Sequence, residues 1–172
     1  MKINQREDVL YAVQVSGLST GNHSFQFDIE NKLLNKFEND EIKNIKVKAD
    51  VELIKRPNIT ELEIRLTGLV GLVCDRCLGN FDYEISLDEQ VIVKQASKNP
   101  DNEINIIIFE PETGEIVFDQ YFYDMIMTSL PLQRAHENEE ECDHDMIERL
   151  EVKDNSSEED IDPRWNDLKN LI

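Results

Sequence analysis

The sequence is poor in cysteine, glycine, proline and basic residues, and these shortages exclude several classes of protein. Three cysteines in 172 residues are too few, and odd in number, for a disulfide framework, so we expect a reducing compartment. Six glycines and five prolines exclude collagen-like and proline-rich architectures. The longest strongly apolar stretch, residues 104–109, is far shorter than the about 18 residues of a membrane helix.

The N-terminal residues carry charge where an exported protein carries an apolar segment. Residues 1–10 read MKINQREDVL, which does not resemble the apolar core of a signal peptide. Together with the unpaired cysteines, this predicts a cytoplasmic protein without a targeting segment and without membrane contact.

Basic residues are outnumbered two to one by acidic residues. Eighteen lysines and arginines face 37 aspartates and glutamates, giving a net charge of −19 and an isoelectric point near 4.4. Modules that grip naked nucleic acid through its backbone are usually basic, so direct binding of naked RNA is not expected. The charge favours a basic protein as the partner.

The acidic residues are concentrated near the C-terminus. Residues 137–162 hold 13 acidic and two basic side chains, whereas residues 1–65 are close to neutral. This contrast predicts a folded body over residues 1–136, then an acidic, partly mobile segment over residues 137–162. Residues 163–172 begin with Pro163 after Asp162 and predict a short C-terminal helix.

Alternating apolar residues predict strands in the body. Three runs share this pattern and are separated by short connections, so we expect an antiparallel meander with one wet face. The apolar faces are Ile45, Val47, Ala49, Val51 and Leu53; Leu62, Ile64 and Leu66; and Phe81, Tyr83, Ile85 and Leu87. Further strands are predicted over residues 9–18, 25–29 and 104–108.

Two segments of the body have helical periodicity instead. Apolar residues three and four apart predict a short helix over residues 31–37 and a longer one over residues 118–130, which Pro131 ends. The predicted fold class is therefore α+β: mainly antiparallel β-sheet, with one packed helix and a short C-terminal helix.

One cysteine pair has the spacing of a metal site. Cys74 and Cys77 can reach one tetrahedral ion from a single turn, but a structural zinc site needs four ligands. The remaining cysteine, Cys142, lies near two histidines, so Cys74, Cys77, His136 and Cys142 could bind a structural zinc ion. His144 could replace His136 as the fourth ligand.

Two other interpretations of the cysteine pair stay open. A redox dithiol is expected at the N-terminus of a helix, but an alternating strand follows Cys77. Alternatively, the cysteines are small buried side chains without a shared function. No Ser-His-Asp arrangement, P-loop or dinucleotide-binding fingerprint is present, so we expect neither catalysis nor a small-molecule substrate.

The strand that leads into the cysteine pair resembles a known family signature. Residues 66–78, LTGLVGLVCDRCL, followed by Phe81, resemble the signature of the YceD family of large ribosomal RNA subunit accumulation proteins. Residues 129–132, SLPL, with His136 and Cys142 downstream, and residues 162–165, DPRW, are similar to later segments of that family.

The resemblance implies a non-enzymatic factor that supports synthesis, processing or stability of 23S ribosomal RNA. Combined with the acidic charge, it predicts ribosome biogenesis through a basic ribosomal protein or a large-subunit precursor particle. The alternative is a zinc-stabilised protein-interaction module unrelated to ribosomes.

Overall fold

A long antiparallel sheet forms the centre of the structure, a computed structural model that describes residues 9–95, 106–109 and 114–150. Its consecutive strands are β2 (Gly21–Ile29), β3 (Asn44–Lys55), β4 (Thr60–Val73) and β5 (Asn80–Gln95), each antiparallel to the next. The predicted meander and the α+β class are thereby confirmed.

The apolar faces of the meander point into the core as the alternation predicts. Ile45, Val47, Ala49, Val51 and Leu53 are all buried, whereas Lys46 and Lys48 are exposed. Side chains alternate across a strand, so one face of the sheet collects the apolar residues while the other meets water. The turn after β3 is closed by a hydrogen bond from Arg56 N to Ile59 O, 2.9 Å.

Two short strands form a second sheet, and one further strand joins the edge of the first. β1 (Ala12–Gln14) pairs with β7 (Glu115–Val117) in antiparallel fashion. β6 (Ile106–Phe109) pairs with β5 in parallel. The strand predicted over residues 9–18 is thus only three residues long. The main sheet is also not wholly antiparallel, because its edge pair, β5 and β6, is parallel.

Helices cover the apolar face of the main sheet. α1 (Asn31–Lys36) follows β2, and α2 (Asp119–Ser129) follows β7. All four helix ends lie within one residue of the predicted bounds. Phe118 and Phe122 are fully buried and stack with ring centroids 5.2 Å apart. Their rings also lie near Phe27 of β2, so α2 is the packed helix that the sequence predicts.

The segment after α2 carries the last described elements. A 3₁₀ turn (Glu139–Glu141) precedes α3 (His144–Leu150), so part of the predicted acidic segment is helical. The division of the chain at residue 136 stays a prediction, and the helix predicted over residues 163–172 lies outside the described residues. Within the described ranges, no helix is long and apolar enough to cross a membrane.

Candidate metal centre

The cysteine pair lies in a tight turn between β4 and β5. Cys74 N donates to Gly79 O at 2.8 Å, and Leu78 N donates to Cys74 O at 2.9 Å, which folds the chain back within five residues. A Cβ on Gly79 would lie 3.3 Å from Cys77 Sγ, so the missing side chain leaves room for the thiol. As the sequence predicts, a strand and not a helix follows the pair.

The segment after α2 is fastened to this turn by its backbone. Asp75 N donates to Arg134 O at 2.6 Å, and Arg134 N donates to Asp75 Oδ2 at 2.8 Å. This two-bond clasp between Asp75 and Arg134 brings residues 134–142 alongside the cysteine turn. The sequence gap of 59 residues between Cys77 and His136 is closed here.

The clasp gathers three thiols and one imidazole. Cys74, Cys77 and Cys142 are 0%, 3% and 4% exposed, and all three are free of disulfide bonds. His136 Nδ1 lies 3.6 Å from Cys77 Sγ and 3.5 Å from Cys142 Sγ. The four ligand atoms all lie within 4.8 Å of one another, so the group could hold a metal ion.

The structure also decides which histidine belongs to this group. His136 faces the thiols, and its ring packs beside Phe81 with centroids 5.2 Å apart. His144 begins α3 and is exposed. Of the two histidines that the sequence left open, the described structure therefore places only His136 with the cysteines.

Apolar side chains close the centre from the side of α3. Met146 and Ile147 of α3, together with Ala135 and Phe81, pack against the three cysteines. By sequence alone, residues 146 and 147 belong only to the predicted acidic segment. Met146 and Ile147 are two neighbouring apolar residues among charged ones. This pattern could have indicated that the segment has a buried face.

Arg76 lies beside the candidate ligands, a position that the spacing of the cysteines did not indicate. Its guanidinium donates to His136 O and, at 3.0 Å, to Glu139 Oε1. Its Nε is buried and has no hydrogen-bond partner among the described residues. The charge of Arg76 thus lies beside the thiols, and a cation there favours thiolates over thiols.

Burial and hydrogen bonding shift the pKa values of Cys74 and Cys142 in opposite directions. Burial raises the pKa of Cys74, but hydrogen bonds from the backbone of Cys77, His136 and Arg76 outweigh it and lower that pKa to about 6. Burial, with hydrogen bonds to Cys77 and Cys74, raises the pKa of Cys142 to about 11. The thiol of Cys74 therefore loses its proton more readily than the thiol of Cys142.

Comparison with protein families finds a match over the C-terminal part of the chain. The family model described as "Large ribosomal RNA subunit accumulation protein YceD" matches residues 62–172, which include the whole candidate metal centre. No curated protein and no solved structure matches the chain. Because the matched residues make up more than half of the sequence, the chain belongs to the YceD family.

Proposed function

We propose that this protein is a non-enzymatic ribosome-biogenesis factor that supports synthesis, processing or stability of 23S ribosomal RNA in the cytoplasm. The observation that carries the proposal is the family match over residues 62–172. The structure adds an antiparallel sheet and, at its end, a group of side chains that could hold a metal ion. The activity that we propose is binding.

The partner that we propose is a basic ribosomal protein or a large-subunit precursor particle. A net charge of −19 opposes contact with bare RNA, whose backbone is also negative. Ribosomal assembly offers cationic protein surfaces to which an acidic protein is attracted. This contact needs no small-molecule substrate and no membrane.

Co-sedimentation with precursor particles tests the proposed function. Tagged protein in low-salt lysate is expected to travel with large-subunit precursors, and deletion of its gene is expected to lower 23S ribosomal RNA relative to 16S. Protein that runs only as free protein, with 23S RNA unchanged after deletion, would overturn the proposal. In that case a protein-interaction module unrelated to ribosomes becomes the better explanation.

We further propose that Cys74, Cys77, His136 and Cys142 bind a structural zinc ion. Zn–S bonds of about 2.3 Å and a Zn–N bond of about 2.0 Å in a tetrahedron place sulfur and nitrogen about 3.6 Å apart. The two distances from His136 Nδ1 to cysteine sulfurs are 3.6 and 3.5 Å. Such an ion would hold the cysteine turn and the segment after α2 together and would not itself react.

A matched pair of histidine variants tests the zinc site. Purified wild-type protein and His144→Ala are expected to contain one zinc per chain by mass spectrometry of the metal. His136→Ala and Cys77→Ser are expected to lose most of it, because three ligands bind a structural zinc far more weakly than four. Equal zinc in His136→Ala and His144→Ala, or none in the wild type, would refute the site.

A further inference from the structure

Two leucines next to the metal centre are left in solvent. Leu78 is 65% exposed and Leu132 is fully exposed, which makes them the two most exposed large hydrophobic side chains of the described residues. Leu78 lies three residues after Asp75, and Leu132 lies two residues before Arg134. Both leucines of this pair therefore flank the Asp75–Arg134 clasp at the same end of the fold.

The backbone at Leu78 is strained for a residue with a side chain. Its φ is +59°, a left-handed conformation that glycine adopts readily and leucine does not. The position only has to close the turn through its N–H group, which glycine would do as well. A leucine at this φ costs free energy, and its side chain, 65% exposed, gains little packing within the described fold in return.

The surroundings of the leucine pair are acidic. We call residues 137–150 the acidic arm: it carries one arginine and seven acidic side chains, Glu137, Glu139, Glu140, Glu141, Asp143, Asp145 and Glu148. All seven are exposed. Cys142, with Met146 and Ile147 of α3, holds the arm against the cysteine turn, so its charge stays near the leucines.

Two basic side chains at this end, Arg76 and Arg134, are already engaged in ion pairs. Arg76 pairs with Glu139, and Arg134 Nη2 lies 2.8 Å from Glu41 Oε2. The acidic arm therefore keeps most of its charge available for a partner. Apolar anchors within a rim of one charge sign are typical of a docking surface for a partner of the opposite sign.

We propose that the leucine pair and the acidic arm form a docking surface for a lysine- and arginine-rich protein segment that supplies apolar side chains. This inference rests on the proposed function and adds the place on the molecule where the basic partner binds. A second copy of this chain is a poor occupant because two acidic arms would repel each other. RNA is a poor occupant for the same reason.

Substitutions of the leucine pair test the surface quantitatively. Binding of purified protein to isolated large-subunit precursor particles is measured for wild type, the Leu78→Ser/Leu132→Ser double variant and Leu69→Ser. Leu69 is a control on the open sheet face, 42% exposed. Each buried leucine contributes about tenfold in affinity, so the double variant is expected to bind at least tenfold more weakly and the control within about twofold.

The zinc content and melting temperature of the double variant are expected to equal those of the wild type, because both leucines lie in solvent. Equal values establish that the variant is folded. Double-variant affinity equal to that of wild type, or a larger loss in Leu69→Ser, overturns the docking surface while the proposed function survives. Absence of wild-type binding to the particles overturns both. Addition of salt is expected to weaken wild-type binding, because the contact includes exposed opposite charges.

A photo-crosslinking amino acid at position 78 or 132 identifies the occupant. In the same particles, crosslinks to a lysine- and arginine-rich protein are expected, with few from position 69. Crosslinks mainly to RNA, or mainly to a second copy of this chain, would contradict the proposed partner.

Discussion

A buried carboxylate joins three separate parts of the fold, and its removal is expected to destabilise the protein strongly. Asp119, at the start of α2, is 2% exposed. It accepts hydrogen bonds from Leu10 N at 2.9 Å and Tyr11 N at 2.7 Å. It also pairs with Lys36 Nζ of α1 at 2.7 Å.

The size of the effect follows from what Asp119→Ala leaves behind. Two backbone N–H groups and the ammonium of Lys36 each lose one acceptor, and a hydrogen bond to a charged group is worth about 1.5–3 kcal/mol. The three losses do not add fully, since Lys36 is 21% exposed and regains water. We expect a loss of about 3–5 kcal/mol, as for other broken buried pairs, and a fall in melting temperature of about 10 °C.

Urea unfolding measures this loss, with Asp124→Ala as the matched control. Asp124 lies on the same helix but is exposed, and its carboxylate contacts Gln120 Nε2 at 2.8 Å. The control is expected to change the free energy of unfolding by less than about 0.5 kcal/mol. A loss below about 1 kcal/mol for Asp119→Ala, or equal losses in both variants, would show that the carboxylate does not join these elements.

Coupling between the two charged partners provides a second check. Lys36→Met combined with Asp119→Ala is expected to cost less than the two single changes summed, with a coupling of about 1–3 kcal/mol. Strict additivity would mean that the ion pair contributes nothing beyond the backbone hydrogen bonds.

Three further changes are expected to have measurable effects. Gly68→Ala should lower the free energy of unfolding by about 2 kcal/mol or more, because Gly68 has φ +157° and a Cβ would lie 2.2 Å from Lys46 O. Burial, aided by the hydrogen bond and charge of Glu89, raises the pKa of Tyr121 above its ordinary 10.0. The stability that the neutral phenol contributes is therefore complete below pH 10 and is lost as the pH rises further. Tyr121→Phe should lose less stability than the wild type over that pH range. A chelator should make Cys142 react faster with a thiol reagent, because metal binding is coupled to folding of the site.

Each of these three has an outcome that contradicts it. Unfolding curves of Gly68→Ala and wild type that coincide would mean that β3 and β4 move apart at no cost. If Tyr121→Phe and wild type unfold identically at high pH, ionisation of the Tyr121 phenol does not contribute to alkaline unfolding. Thiol reactivity that is unchanged by a chelator would mean that no bound ion protects Cys142.

The sequence by itself determined the strands of the meander, the packed helix and three of the candidate ligands. Alternation at positions 45–53 predicts the buried face of β3 because side chains point to opposite sides of a strand whatever lies next to it. Spacing of three and four predicts α2 for a similarly local reason. The pair Cys74 and Cys77 is recognisable because two ligands with two residues between them can meet one ion within a single turn.

Tertiary structure alone decided the features that depend on distant segments. The choice of His136 over His144 follows from the clasp between Asp75 and Arg134, which no local pattern encodes. Likewise, β6 takes a parallel place at the edge of the main sheet, and only three residues of the predicted first strand find a partner. Hydrophobic periodicity reports which side chains avoid water, whereas contacts between segments dozens of residues apart depend on how the whole core packs.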